Sequence, residues 1–342
     1  MKKLLASTAL VGALVVSGSS FAETKFGGNV ENTWTSKQTQ TSAVAADSFD
    51  GIGTDIEITV DHTKDLSNGW KGKIAMAIDE SGSSGGEMSV SRSYVQVSND
   101  TVTLQLGVEG IQGAEIYPIP TVADISCDLP GLGSQCDYLA SLNNTHTLAA
   151  AVKVPFGTVE ALLAPNSSAA RAAKDSDVDA PADAAGAPAG RGLEAAYKFS
   201  AMDGALTGGI GAVVKKSNGA DNHDDMRSST ASLQYNLGSV KVGAGRTLFE
   251  DGANNASSTT DRERTTDSFG ITLAASDDLS VGVQYKKSSS DEWSSDEKAT
   301  VVQAAYNFGG IGFSLSMAQL DNDGGTAGTD NELVVFRTKT SF

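Results

Sequence analysis

The chain has 342 residues, 39% of them hydrophobic and 6% aromatic, with 37 glycines, 7 prolines and a formal charge of −17. That acidity excludes a nucleic-acid partner, whose phosphates need a basic surface, and glycine without a period of three excludes a collagen-like fibre. So modest a hydrophobicity also excludes a helical membrane protein, but not one that crosses a bilayer with strands.

At the N-terminus Lys2 and Lys3 precede the apolar run Leu4 to Val16, and Ser20 and Ala22 form a small-x-small site. A basic head, a run too short to span as a helix and that site read as a secretory signal peptide over residues 1–22, cleaved before Glu23. Losing Lys2 and Lys3 with it takes the charge from −17 to −19. Residues 23–342 then form one exported domain.

From Glu23 onward the dominant signal is alternation with period two, as in Asp55-Ile56-Glu57-Ile58-Thr59-Val60-Asp61 and in Leu279-Ser280-Val281-Gly282-Val283-Gln284-Tyr285. It predicts strands near 24–35, 52–62, 70–80, 88–98, 101–109, 145–155, 157–164 and 191–200. Eight more fall near 205–216, 227–237, 239–247, 265–275, 279–288, 297–308, 310–320 and 331–342. The connections alternate in length. Tight turns at 63–69, 99–100, 156, 201–204, 238, 276–278 and 309 are interleaved with polar segments at 36–51, 81–87, 110–144, 165–190, 217–226, 248–264, 289–296 and 321–330. A soluble sandwich mixes connection lengths at both ends, whereas a transmembrane barrel has short turns on one rim and long loops on the other. The predicted fold class is therefore all-β: a transmembrane, antiparallel, 16-stranded barrel whose third loop folds inward.

Parity assigns the faces. Trp70, Gly72, Ile74, Met76 and Ile78 oppose Lys71, Lys73, Ala75, Ala77 and Asp79, while Leu193, Ala195, Tyr197 and Phe199 oppose Glu194 and Lys198. Sixteen strands enclose a lumen too wide to fill with side chains, so the apolar face turns to lipid and the other to water. Tyr197, Tyr235, Tyr285, Tyr306, Phe199 and Phe308 lie near strand ends, as an interfacial girdle requires. Gly51-Ile52-Gly53 and Gly209-Ile210-Gly211 are too short for nucleotide fingerprints and read as small residues within strands.

The longest connection, 110–144, contains Cys127 and Cys136, nine apart. In an exported protein that spacing predicts a disulfide, and no nearby Cys pair or His supports zinc. The loop's apolar residues, Ile116, Tyr117, Ile119, Leu129 and Leu132, need a surface to pack on, and the lumen supplies one. Folded inward, the loop would carry Glu115, Asp124, Asp128 and Asp137 into the channel, with Glu109 at its root. By parity Arg92, Lys73, Lys153, Arg337 and Lys339 point inward, as do Asp55, Glu57 and Glu194. An acidic loop facing wall cations would set a transverse field across the narrowest point.

Nothing reads as an enzyme or as a cofactor site. His62, His146 and His223 stand in no Ser-His-Asp or His-x-x-His setting. Asp321-Asn322-Asp323-Gly324-Gly325 resembles part of a calcium loop but lacks the distal Glu, so a plain hairpin loop is expected.

Three stretches resemble the general porins of Gram-negative bacteria. Ser91-Arg92-Ser93-Tyr94-Val95-Gln96-Val97-Ser98-Asn99-Asp100-Thr101-Val102-Thr103-Leu104-Gln105-Leu106-Gly107 resembles that family's arginine-bearing fourth strand, tight turn and fifth strand. Pro155-Phe156-Gly157-Thr158-Val159 resembles one of its periplasmic turns, and the terminal Phe342 resembles the aromatic residue recognised during outer-membrane insertion. The resemblance implies a homotrimer of barrels set in outer-membrane lipid and lipopolysaccharide. Each barrel would hold a water-filled pore, narrowed by the third loop, for passive diffusion of small hydrophilic solutes and ions. The sequence departs from the family at Thr338 and Thr340, where outward apolar residues are usual, and at Gly107-Val108-Glu109, where Gly-Arg is usual. Losing that arginine in so acidic a chain makes cation preference the expectation. The alternative from another class is a structural or adhesive outer-membrane barrel plugged by its loops.

Overall fold

A computed structural model describes residues 22–41, 44–80, 88–114, 116, 120, 122, 142, 146–165, 191–216, 225–251 and 262–342. Among them sixteen strands form one closed barrel. They are β1 (Ala22–Thr41), β2 (Val44–Asp65), β3 (Lys71–Glu80), β4 (Met88–Ser98), β5 (Val102–Val108), β6 (Thr147–Val154), β7 (Gly157–Ala164) and β8 (Gly192–Ala201). The circuit continues with β9 (Leu206–Lys215), β10 (Met226–Asn236), β11 (Val240–Asp251), β12 (Arg262–Ala274), β13 (Leu279–Ser290), β14 (Glu297–Phe308), β15 (Ile311–Asp321) and β16 (Thr329–Ser341). Each pairs antiparallel with its neighbours in the chain, and β16 pairs with β1 from Asn29↔Ser341 to Thr41↔Thr329. Closure satisfies the backbone and leaves no edge, the condition for a strand protein in lipid.

The first hairpin differs from expectation. The ladder between β1 and β2 continues to Thr41↔Val44, so most of the loop expected at 36–51 is paired strand. The apolar alternation ends near Trp34, but Thr35, Thr39 and Thr41 are β-branched and keep the extended conformation. Alternation reports contact with lipid, and a ladder that rises above the membrane does not need it. For the same reason β11 runs on to Asp251 and β12 begins at Arg262.

Outward positions carry the apolar belt. Along β8 these are Leu193, Ala195, Tyr197, Phe199 and Ala201, about 26 Å of strand at ~3.3 Å per residue. At the tilt of about 40° usual in such barrels this makes a band of about 20 Å, close to the ~25 Å typical of outer-membrane barrels. Tyr197, Phe199, Tyr235, Tyr306 and Phe308 lie toward the rim of tight turns, and exposed Phe156 and Phe342 join them there. Tyr285 lies higher, opposite Phe269.

The inner face is not uniformly small or charged. Ala299, Val301, Ala318, Leu320, Leu333 and Val335 form a buried apolar cluster on the inner side of β14, β15 and β16. On β14 alternation sets Val302, Ala304, Tyr306 and Phe308 on the outward face, and the pairing agrees, leaving Val302 half exposed and Val301 buried.

Candidate pore wall and third loop

The third loop leaves β5 through three left-handed residues, Glu109 (φ 62°), Gly110 (φ 107°) and Gly113 (φ 54°). Glu109, an L-residue in a region that favours glycine, is held there by Gln105. The Gln105 side chain donates from Nε2 to the Glu109 carbonyl and accepts from the Ile111 N–H at 3.1 Å. The described residues of the loop then run along the inner wall. The Ala114 N–H donates to Glu194 Oε1 on β8, and Ala114 sits over Gly211 on β9. Ile116 lies over Gly209, Pro120 over Gly243 on β11 and Val122 over Gly282 on β13. The Pro120 carbonyl accepts from Gln284 Nε2 at 3.1 Å, and the Val122 N–H donates to Gln303 Oε1 on β14 at 3.1 Å. Leu142, on the returning limb, comes back to β8 and donates its N–H to Glu194 Oε2 at 2.6 Å.

The four glycines make this course possible. A Cβ at Gly209, Gly211, Gly243 or Gly282 would stand 2.6–2.8 Å from the loop atom now in its place, well inside van der Waals contact. They are the bare track on which the loop lies. The arc traversed runs from β5 to β14, and the wall from β15 through β1 to β4 lies opposite it.

That opposite arc carries most of the wall charges expected from parity. At the seam Arg337 Nε lies 2.8 Å from Glu31 Oε1 and Lys339 Nζ 3.6 Å from Glu31 Oε2. Asp55 faces Glu31 across the β1–β2 ladder, and Glu57 faces Asp79 across the β2–β3 ladder. Nearer the turn rim Lys73 Nζ lies 3.4 Å from Asp61 Oδ2 and 5.6 Å above the ring of Tyr94. Arg92 stands opposite Ala77 on the inner side, just below a bulge. The extra residue there is Ser91, which lets Val90 and Val95 both face outward. Lys153 sits apart from this group, on β6 beside the tight turn. Across the lumen Lys198 Nζ pairs with Glu160 at 3.0 Å.

Glu115, Asp124, Asp128, Asp137, Cys127 and Cys136 lie outside the described residues, so the acidic face of the loop and its disulfide remain expectations. Phe342 is placed: its N–H and C=O bond Gly28 at 3.0 and 3.1 Å, and its exposed ring lies over that glycine. In the last external hairpin Asp323–Gly325 form a single 3-10 turn. The Gly324 N–H donates to Glu297 at 2.7 Å, and Asp323 accepts from Asn331. Among the described residues no group of three or more metal-ligating side chains occurs.

Sequence reasoning missed Glu31 and the three glutamines Gln105, Gln284 and Gln303. Parity puts all of them on the inner face, but their partners are a strand at the other end of the chain and main-chain groups of the loop.

A closed sixteen-stranded barrel, apolar outside and with charges within, the described residues of its third connection packed on the inner wall, defines a channel of the bacterial outer membrane. The sequence matches the family model of the Gram-negative porins over residues 6–287, and the chain belongs to that family. No curated protein matches it. Solved structures do. The anion-selective porin from Comamonas acidovorans is similar at 15% identity and a TM-score of 0.67, covering 94% of this chain and 100% of that one. The outer membrane channel DcaP of Acinetobacter baumannii is similar at 13% identity and a TM-score of 0.67, covering 95% and 99%. OmpT of Vibrio cholerae is similar at 15% and 0.62, again covering 95% and 99%.

Proposed function

We propose that this porin is a passive diffusion channel for small hydrophilic solutes and ions, with a preference for cations. The observation that carries the reading is the acidity of the chain, because the arc opposite the third loop is itself balanced and leaves the sign to the loop. Glu23, Glu31, Asp55, Glu57, Asp61, Asp65 and Asp79 are matched there by Lys25, Lys37, Lys71, Lys73, Arg92, Arg337 and Lys339. The third loop would add Glu109, Glu115, Asp124, Asp128 and Asp137 from the other side, narrowing the pore with an acidic surface. An anionic constriction concentrates cations and repels anions. The anion-selective Comamonas porin shares the barrel, so selectivity belongs to wall and loop charges rather than to the fold. Reconstitution in a planar bilayer tests both parts. Stepwise conductance is expected, with a reversal potential of cationic sign across a salt gradient; an anionic sign overturns the preference, and no steps would favour a barrel plugged by its loops.

We further propose a homotrimer. The outward residues of β5–β8, among them Leu104, Leu106, Leu148, Val159, Leu163 and Leu193, are apolar to the loop end of the strands, where β10–β13 carry charge. A face without a polar upper rim suits a second copy better than lipid headgroups. OmpT of Vibrio cholerae has been solved in a trimer form. The charged rim of β10–β13 suits lipopolysaccharide. There Arg246 grips Asp267 through Nε and Nη2 at 2.5 and 2.8 Å, and Lys287 meets Asp296 at 2.7 Å. The signal peptide at 1–22 and the Cys127–Cys136 disulfide complete the reading; the mass of the mature protein, alkylated with and without reduction, tests the two together.

A further inference from the structure

We propose that Glu194 is the positioning residue of the channel: one carboxylate that holds both limbs of the third loop against the wall and thereby sets the aperture. The proposal rests on the channel reading for its consequence, but not for its geometry. Glu194 is 3% exposed, on the inner face of β8. Oε1 accepts the Ala114 N–H on the outgoing limb, and Oε2 accepts the Leu142 N–H on the returning one. Twenty-nine residues of chain, Ala114 to Leu142, thus begin and end on one side chain.

The surroundings are built for that arrangement. Ala114 and Leu142 join Ala164, Ala196 and Val213 in one buried apolar cluster, with Ile116 packed against it. Water is excluded on that side, so two main-chain donors aimed at a carboxylate give strong charge-assisted bonds. Gly113 is left-handed, and a Cβ there would meet Glu194 Oε1 at 2.0 Å and Leu162 at 2.7 Å. Gly192, two residues before Glu194 on the same face, makes room for Leu142, whose Cδ2 would lie 2.5 Å from an added Cβ. The loop has further anchors at Gln105, Gln284 and Gln303, but each of these serves the outgoing limb alone. Glu194 accepts a hydrogen bond from each of the two limbs.

Glutamine at 194 preserves shape but not function. Its amide offers one acceptor oxygen, and its NH2 must face the second N–H, donor against donor. One limb is then released. The test compares wild type, Glu194→Gln and Gly192→Val, which displaces Leu142 without touching the carboxylate. Two readouts are taken on heat-modifiable, folded barrel. The first is limited digestion by a glutamate-specific protease, with fragments identified by mass. The second is open-channel current noise and the voltage at which channels close. Wild type is expected to resist cleavage between β5 and β6, while both variants are cut there at least about tenfold faster, as loss of ~1.4 kcal/mol of local protection implies. In the bilayer both are expected to be at least twofold noisier and to close at lower voltage. Equal cleavage and equal noise in all three overturn the role of Glu194. Faster cleavage in the variants of a wild type that never conducts upholds the clamp and overturns the channel reading instead.

Discussion

Arg337 on the last strand and Glu31 on the first form an ion pair across the seam that closes the barrel, 2.8 Å between Nε and Oε1, both side chains almost out of solvent. Lys339 shares the same carboxylate at 3.6 Å. One carboxylate therefore contacts two cations on the pore wall, with Asp55 opposite it across the ladder. Replacing Glu31 with Gln keeps the volume and removes one negative charge from beside both cations. A unit charge about 4 Å from an ion path in water is worth up to ~1 kcal/mol, a factor of up to about five in local concentration. Glu31→Gln is expected to lower the cation-to-anion permeability ratio within that limit, and Glu31→Asp to leave it nearly unchanged. Reversal potentials in a salt gradient measure it; an unaltered ratio for Glu31→Gln removes this pair from the conducting wall.

Phe342 closes the same seam on the outer surface. Its backbone completes the ladder to Gly28, and its ring occupies the space a side chain at residue 28 would fill, 2.7 Å from an added Cβ. The Glu57 carbonyl would be closer still, at 2.3 Å. Gly28→Val is thus expected to cost about 2 kcal/mol as an overpacked site, roughly a 30-fold loss in the ratio of folded to unfolded barrel. Refolding into detergent, followed by the heat-modifiable shift in gel migration, gives that ratio. Phe342→Leu, which keeps an apolar cover over Gly28, is expected to lose less. Equal folding of Gly28→Val and wild type would show the contact to be incidental.

Much of this barrel was legible because lipid imposes a period of two. The bounds of β4 and β7 coincide with those read from alternation, since their outward residues are apolar to both ends; those of β14 coincide too, although its outward face turns polar at Thr300 and Lys298. The ribbon above Trp34 was not legible, because beyond the membrane the ladder no longer needs an apolar face. The inward directions of Arg92, Lys73, Arg337, Asp55, Glu57 and Glu194 follow from parity, and the register sets Asp55 opposite Glu31, Glu57 opposite Asp79 and Arg92 opposite Ala77. Their partners do not follow from it. Glu31 meets Arg337 only when the first strand finds the last. Gly209 and Gly211 looked like small residues within a strand, because a docking track for main chain leaves no mark other than a missing side chain.

On the outer face, Arg246 and Asp267 offer a test of the lipopolysaccharide reading. Both side chains are at least half exposed, and an exposed, solvent-screened pair of this kind adds little to stability. Replacing both with Leu is therefore expected to leave the heat-modification temperature almost unchanged. Retention of lipopolysaccharide through detergent extraction is expected to fall, because the rim loses a cation that can bind phosphate. Undiminished co-purification would separate this ladder from any lipid contact and leave it a local brace of β11 and β12.

The glycine track makes the last prediction. Gly282→Val would set a branched side chain against Val122, whose Cγ2 lies 2.8 Å from the added Cβ, and Gly243→Val would do the same to Pro120 at 2.6 Å. Both strand backbones are extended and accept valine readily, so the barrel itself should form. What must yield most is the loop, displaced from the wall toward the open side of the lumen, with smaller shifts of the Gln234 and Thr272 side chains, which lie 2.9 and 3.0 Å from the added Cβ atoms. A displacement of one methyl layer there narrows the water path, and single-channel conductance is expected to fall while the folded band on a gel is unaffected. Gly53→Ala is the control, since a Cβ at Gly53 meets nothing within 4 Å. Conductance lowered by Gly243→Val and Gly282→Val but not by Gly53→Ala would show that the loop's position along this track governs the pore. Unchanged conductance in all three would mean that the narrowest point lies elsewhere along the barrel.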